Sequence, residues 1–310
     1  VSAARSGLLL VDPAAFGFNA ETATTNRFQQ ATNEAPVAVA ASARREFAGL
    51  VAALTAADVA VAVATDTPEP VKPDAVFPNN WVSFHADGTV VLYPMRDPTR
   101  RAERREAVVE AAKAQLGFVE TRRIDLTGEE RHGRFLEGTG SLVLDARQRI
   151  AFACRSPRTD ESLVREWARL LDYEPFLFDA ATADGAPVYH TNVLLWIGEL
   201  VAGAGLEWVA PMQRAVLHDR LQFSGRQLLQ LSAAQLQCFA GNMLEVPDAA
   251  DSRRLAMSAS AAGSLDEGQR ALLRAQGIEP LVAAIPTIER LGGGSVRCML
   301  AEVPACAGTR

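Results

Sequence analysis

The strongest constraint on this chain is an order of elements that recurs along it. From Gly140, residues 141–144 read as a strand, 145–148 as a turn and 150–154 as a returning strand. Asp160 then stands where a helix N-cap would, Leu163, Trp167, Leu170 and Leu171 fall near helical spacing, and the apolar run 176–178 supplies another strand. The same order appears earlier, with a hairpin of 81–84 and 90–93 around Asp87-Gly88, a helix over 100–116 and a strand near 119–124. It appears again later, with a hairpin of 193–197 and 200–202 around Gly198-Glu199, a helix near 214–221 and a strand near 228–231. A strand-strand-helix-strand unit that repeats favours one closed, radially repeated α/β domain over residues 1–310, because each copy must bury its apolar face against a neighbour. Periodicity alone leaves an ordinary mixed α/β domain equally open.

Composition narrows the partners. With 48% hydrophobic and 22% charged residues the chain can bury a large core. The formal net charge of −6 comes without a basic stripe, since Asp97 and Glu103 interrupt the densest cationic run, so a nucleic-acid partner is not expected. The apolar stretch 7–11 is too short for a signal-peptide core, and no segment reaches the ~18 uninterrupted apolar residues of a membrane span, so a cytoplasmic protein without membrane contact is expected. The four cysteines Cys154, Cys238, Cys298 and Cys306 lie far apart with no C-x-x-C pair. That spacing predicts free thiols rather than a zinc site or a disulfide framework.

Three short segments carry groups suited to chemistry. Gly292-Gly293-Gly294-Ser295 precedes Cys298, and a glycine run lets backbone adopt conformations that other residues resist. Read alone, such a run is more often just a flexible turn before an edge strand, and no Lys-Ser or Lys-Thr pair follows it as a P-loop requires. A nucleophilic cysteine needs a nearby base or cation, because its free pKa of about 8.5 leaves it mostly thiol at neutral pH. Among four histidines, His85, His132 and His218 read as structural or solvated, whereas His190 precedes the apolar strand 193–197 and can project into a central cavity. Glu137 lies between apolar residues and glycines, where a carboxylate needs a hydrogen-bonded or cationic partner unless it is an ordinary loop residue.

Taken together, Phe77-Pro78-Asn79-Asn80-Trp81, Leu136-Glu137-Gly138-Thr139-Gly140, His190-Thr191-Asn192 and Gly292 through Met299 resemble, in kind and order, the guanidine-modifying superfamily, or penteins. The likeness runs from Phe16-Gly17-Phe18-Asn19 to Ala301 and is closest to the bacterial citrulline hydrolases, amidinotransferase-like proteins related to arginine deiminases. The resemblance implies a five-bladed αβ propeller of strand-strand-helix-strand units around a central active site. It makes Cys298 the nucleophile, His190 the general acid/base and Glu137 a carboxylate that binds substrate nitrogen, with no metal or cofactor. It also implies that Phe77, Asn79, Asn80 and Asn192 meet the substrate. Pro98-Thr99-Arg100-Arg101-Ala102-Glu103 resembles a family stretch pointing to Arg101 for the α-carboxylate, and Ser156-Pro157-Arg158-Thr159 resembles one pointing to Arg158.

Arginine-using relatives carry aspartates where this sequence has Asn80 and Asn192. A guanidinium offers only donors and a positive charge, which paired carboxylates match, whereas a neutral ureido group offers both donors and an acceptor, as asparagine does. The expected reaction is therefore hydrolysis of citrulline to ornithine, carbon dioxide and ammonia. Deimination of arginine or hydrolysis of a methylated arginine is the main alternative. An amidinotransferase would need a site for a second amine, and a ribosome-binding pentein would favour a basic face that this acidic chain lacks. Self-association into a homo-oligomer is left open.

Overall fold

The computed structural model describes residues 6–223, 225–247 and 253–305, so Cys306 lies outside the described residues. Strand β1 (Gly7–Asp12) pairs in parallel with β2 (Ala60–Thr65), and the helix Pro36–Ala56 connects them. Four complete units follow. The first joins β3 (Val82–Phe84), β4 (Thr89–Leu92) and β5 (Arg122–Asp125), and the second β6 (Val143–Asp145), β7 (Ile150–Cys154) and β8 (Glu174–Phe178). The third joins β9 (Leu195–Ile197), β10 (Val201–Ala204) and β11 (Gln227–Gln230), and the fourth β12 (Leu244–Pro247), β13 (Arg253–Ser258) and β14 (Ile278–Ala283). The last strand, β15 (Ala301–Val303), returns to β1 and completes the fifth sheet.

Each sheet has three strands in one pattern. The first strand runs antiparallel to the middle strand, and the middle strand runs parallel to the third. A parallel partner needs a crossover, and every unit supplies a helix between its middle and third strands, as Glu161–Leu171 does between β7 and β8. The first strands β3, β6, β9, β12 and β15 form the inner layer, with β15 beside β3, β6 beside β9 and β9 beside β12. This is the five-bladed αβ propeller of the pentein fold.

The core lies between each sheet and its outer helix. Val39, Ala43, Phe47, Leu50 and Leu54 recur at three- and four-residue spacing on one face of Pro36–Ala56 and are all buried. Each large aliphatic or aromatic side chain buried this way contributes about 1.5–3 kcal/mol. Asp160 caps the helix Glu161–Leu171 as expected, with its Oδ1 accepting from the Leu163 N–H at 3.1 Å.

Three local expectations change. The helix expected over 100–116 is two, Pro98–Arg101 and Glu106–Leu116, because Glu103, Arg104 and Arg105 turn their side chains to Arg100, Glu130 and Asp66 respectively. The strand expected from 141 begins instead at Val143, after a helical turn over Gly138–Ser141. The strand expected from 193 begins at Leu195, after a 3₁₀ turn over Thr191–Val193.

Candidate active site

Those turns recur. Immediately before its inner strand, each blade makes a short turn: Pro78–Asn80 before β3, Gly138–Ser141 before β6, Thr191–Val193 before β9, the turn ending at Asn242 before β12, and Val296–Met299 before β15. The five turns deliver Asn79 and Asn80, Glu137, His190 and Asn192, Asn242, and Cys298. All of these residues are buried. Glycine makes the close approach possible, since a Cβ on Gly140 would lie 2.5 Å from Asn80 Nδ2 and 2.8 Å from His190 Nδ1.

Glu137 is fully buried and spends its oxygens on protein groups. Oε2 accepts from His190 Nε2 at 2.8 Å and lies 3.3 Å from Arg158 Nη1, while Oε1 accepts from the Arg96 N–H at 3.1 Å. Burial works against its ionisation, but the Arg158 guanidinium, the His190 bond and Arg100 together outweigh it and hold the carboxyl well below the usual carboxylate range. An ionised carboxylate only accepts, so His190 Nε2 must carry the hydrogen and Nδ1 is left with a lone pair. Burial pushes His190 down to about 4, against the pull of Glu137, so its ring is neutral at pH 7. Burial pushes the Cys298 thiol up, and the neighbouring N–H donors oppose that shift.

Cys298 and His190 line one cavity together with Phe77, Asn80, Gly292, Gly293, Gly294 and Tyr189. Asp74, Arg100 and Arg158 line it too, with Thr22 and Asn26. Arg100 is gripped by Glu103 through bonds of 2.9 and 2.8 Å, and its Nη1 donates to Asn80 Oδ1 at 2.7 Å. Asp74 accepts from Asn19 Nδ2 at 2.7 Å and lies 4.0 Å from Arg100 Nε. A wall with one carboxylate and two guanidiniums complements the charged ammonium and carboxylate of an amino-acid head.

The expected residues divide clearly. Phe77, Asn80, Arg158, His190 and Cys298 line the cavity, and Asn192 Nδ2 lies 3.5 Å from Cys298 Sγ. Glu137, the carboxylate expected to bind substrate nitrogen, is not among the lining residues: Oε2 meets His190 and Arg158, and Oε1 accepts from the Arg96 N–H. Asn79 also stands back, its Oδ1 accepting from Asn80 Nδ2 at 3.0 Å. Arg101 turns away to the carbonyls of Met95 and Arg96, and Arg100 takes the place expected of it. The three-residue spacing of Arg100 and Glu103 was the available signal, since residues one helical turn apart can pair. Asp74 and Asn242 were not anticipated. Nothing marked Asn242, and Asp74 follows a proline-rich stretch, 68–73, that carries no motif of its own.

Among the described residues, no group of histidine, cysteine, aspartate and glutamate side chains is arranged to hold a metal ion, and no helix is long and apolar enough to cross a membrane.

The five-bladed fold and a buried cysteine, histidine and carboxylate define a guanidine-modifying enzyme of the pentein superfamily, a hydrolase acting on C–N bonds other than peptide bonds. Residues 12–305 match the model of the family described as N,N dimethylarginine dimethylhydrolase, eukaryotic, and the chain belongs to that family. Among solved structures, it is similar to the N-terminal domain of ArgZ, an arginine dihydrolase from the ornithine-ammonia cycle in cyanobacteria. There the identity is 14% with a TM-score of 0.75, covering 97% of this chain and 99% of that one. The ternary complex of AgrE with ornithine and NAD+ is similar at 17% identity and a TM-score of 0.75, covering 98% of this chain and 40% of AgrE. A dimethylarginine dimethylaminohydrolase, a glycine-for-histidine variant carrying an adduct of S-methyl-L-thiocitrulline, is similar at 14% identity and a TM-score of 0.65, covering 96% of this chain and 99% of that one. At these identities the likeness establishes the fold. Among curated proteins, no relative matches in sequence.

Proposed function

We propose that this protein hydrolyses the ureido group of citrulline, giving ornithine, carbon dioxide and ammonia through a covalent intermediate on Cys298. The observation that carries this reading is the charge of the cavity wall. Among its lining residues Asp74 is the sole acid, and it lies on the wall with Arg100 and Arg158. Around the sulfur stand Asn192 and Asn242 amides, with Asn80 at the same cavity. A guanidinium there would lack a facing carboxylate, because Glu137 is committed to His190 and Arg158. A neutral ureido group carries no charge that needs matching.

In this reading Asp74 faces the substrate ammonium and the two guanidiniums face its carboxylate. His190 Nδ1 takes the Cys298 proton as the sulfur attacks the ureido carbon, and the imidazolium then protonates the departing nitrogen. Glu137 stabilises that imidazolium. The same nitrogen next deprotonates water, which cleaves the S-carbamoyl intermediate, and the carbamate so formed decomposes. One water is consumed overall.

A guanidino substrate is the second reading, favoured by the dimethylarginine dimethylhydrolase family match and the likeness to an arginine dihydrolase. The test is ammonia and amino-acid product analysis with L-citrulline, L-arginine and N,N-dimethylarginine side by side, with Cys298→Ala as control. Turnover of citrulline alone, moved toward arginine by the Asn80→Asp/Asn192→Asp double variant, is the expected result. Turnover of arginine or its methylated form by the unaltered protein would sink the citrulline assignment while leaving the nucleophile in place.

A further inference from the structure

We propose that Asn242 is a further catalytic residue, whose side-chain amide is clamped so that it must present an N–H to the sulfur of Cys298 and hold it as the attacking anion. The clamp is the backbone of Asn192. Asn242 Nδ2 donates to the Asn192 carbonyl at 2.8 Å and lies 3.3 Å from Cys298 Sγ. An amide nitrogen has two hydrogens. With one fixed on a carbonyl that can only accept, the amide cannot flip, and the second hydrogen is committed to sulfur.

The second donor is Asn192 Nδ2, 3.5 Å from the same sulfur. Two N–H groups facing one sulfur favour thiolate over thiol, because a thiol needs an acceptor for its own hydrogen while a thiolate needs donors. Asn192 Oδ1, 3.9 Å from the sulfur, is the acceptor that the thiol form meets at that amide, and His190 in the same cavity takes the proton when the anion forms.

The backbone is built to hold this arrangement. Asn242 closes a turn in which its N–H donates to the Phe239 carbonyl at 2.8 Å, and Phe239 has a left-handed φ of 60°. A Cβ on Gly241 would meet the Val193 carbonyl oxygen at 2.2 Å, so the turn lies directly on the backbone that follows Asn192. A purely structural asparagine would be expected to satisfy both ends of its amide. Asn242 is fully buried, yet its Oδ1 has no hydrogen-bond partner among the described residues. Leaving a buried acceptor unpaired is costly, which points to the donor end as the reason for the residue.

This role rests on the cysteine chemistry proposed above but not on the choice of substrate, and the test therefore uses none. The intact protein is treated with iodoacetamide across a pH series, and alkylation of the Cys298 peptide is followed by mass spectrometry. Asn242→Ala and the isosteric Asn242→Asp are compared with the unaltered protein, and thermal unfolding reports whether each variant is folded. The alanine variant is expected to move the alkylation midpoint up by about one pH unit, slowing reaction near neutrality about tenfold. The aspartate variant, which sets a negative charge beside the sulfur, is expected to move it further. Kcat/KM with whichever substrate is turned over should show its alkaline-rising limb displaced by the same amount. Alkylation profiles that superimpose on the unaltered protein in a folded variant would overturn the proposal, even if turnover fell.

Discussion

Glu137 Oε2 lies 2.8 Å from His190 Nε2, and that bond decides which ring nitrogen is left to move protons. Replacing Glu137 by glutamine removes the anion that stabilises the imidazolium and allows the amide to present either end. We expect kcat to fall by about 10²-fold or more. Arg158 keeps Asp97 at 3.4 Å as a carboxylate partner, so unfolding free energy should fall by less than the about 3–5 kcal/mol of a buried ion pair broken outright. Steady-state kinetics and urea unfolding check both. A change confined to KM would return Glu137 to the substrate-binding role expected of it from the sequence.

Stability should fall with acid, and the sign follows from the native protonation states. Burial pushes His190 down to about 4, and it does the same to His85 against the pull of Asp87, from an ordinary value of 6.5. Between pH 6.5 and 4 the unfolded chain therefore binds protons at these two positions that the native protein does not, so their contribution rises with pH across that window; Glu103, raised to about 7 from 4.5, opposes it between pH 4.5 and 7, one group against two. Glu137 acts lower down, because its native carboxyl is held below the ordinary 4.5 and its contribution is lost only as pH falls beneath that value. Urea midpoints measured from pH 8 to about pH 4 should decline from about 6.5 downward, and His190→Gln should flatten the upper part of the decline. A His190→Gln decline between about pH 7 and pH 5 as steep as that of the unaltered protein would show that the native His190 is not neutral.

Arg100 and Arg101 are neighbours in sequence with opposite placements. Arg100 lines the cavity and is gripped by Glu103, whose carboxyl burial raises to about 7 despite the guanidinium beside it. Arg101 reaches only backbone carbonyls and Glu130. Arg100→Lys keeps the charge but loses the planar fork, and should raise KM about tenfold or more, whereas Arg101→Ala should leave it within about twofold. The reverse ranking would restore Arg101 to the α-carboxylate.

The repeat was readable for three blades because each has a hairpin with a marked turn, such as Asp87-Gly88, followed by a helix with apolar spacing. The other two hid for different reasons. The strands β12 and β13 join through residues with no turn dipeptide to mark them, and the fifth sheet is assembled from the two ends of the chain, so no local window contains it. Cys298, His190 and Glu137 were legible as residues out of keeping with their apolar or glycine-rich surroundings. Asn242 was not, since an asparagine after glycine reads as a turn whether or not it faces a sulfur. What would have found it is the rule that each inner strand is preceded by a turn carrying a polar side chain, and that rule is visible only once the five inner strands are known. Arg101 was chosen over Arg100 because matching a stretch does not determine the phase of a short helix.

The pairing of β15 with β1 ties the nucleophile to the joining of the ring. Cys298 stands in the turn just before β15, and β15 pairs with β1, so the nucleophile takes its place as the ring is joined. With the four complete blades formed and β15 unpaired, Asn192 and Asn242 stand without the sulfur that they meet in the joined ring. Turnover is then a reporter of ring closure, since parting β15 from β1 separates the sulfur from the groups beside it.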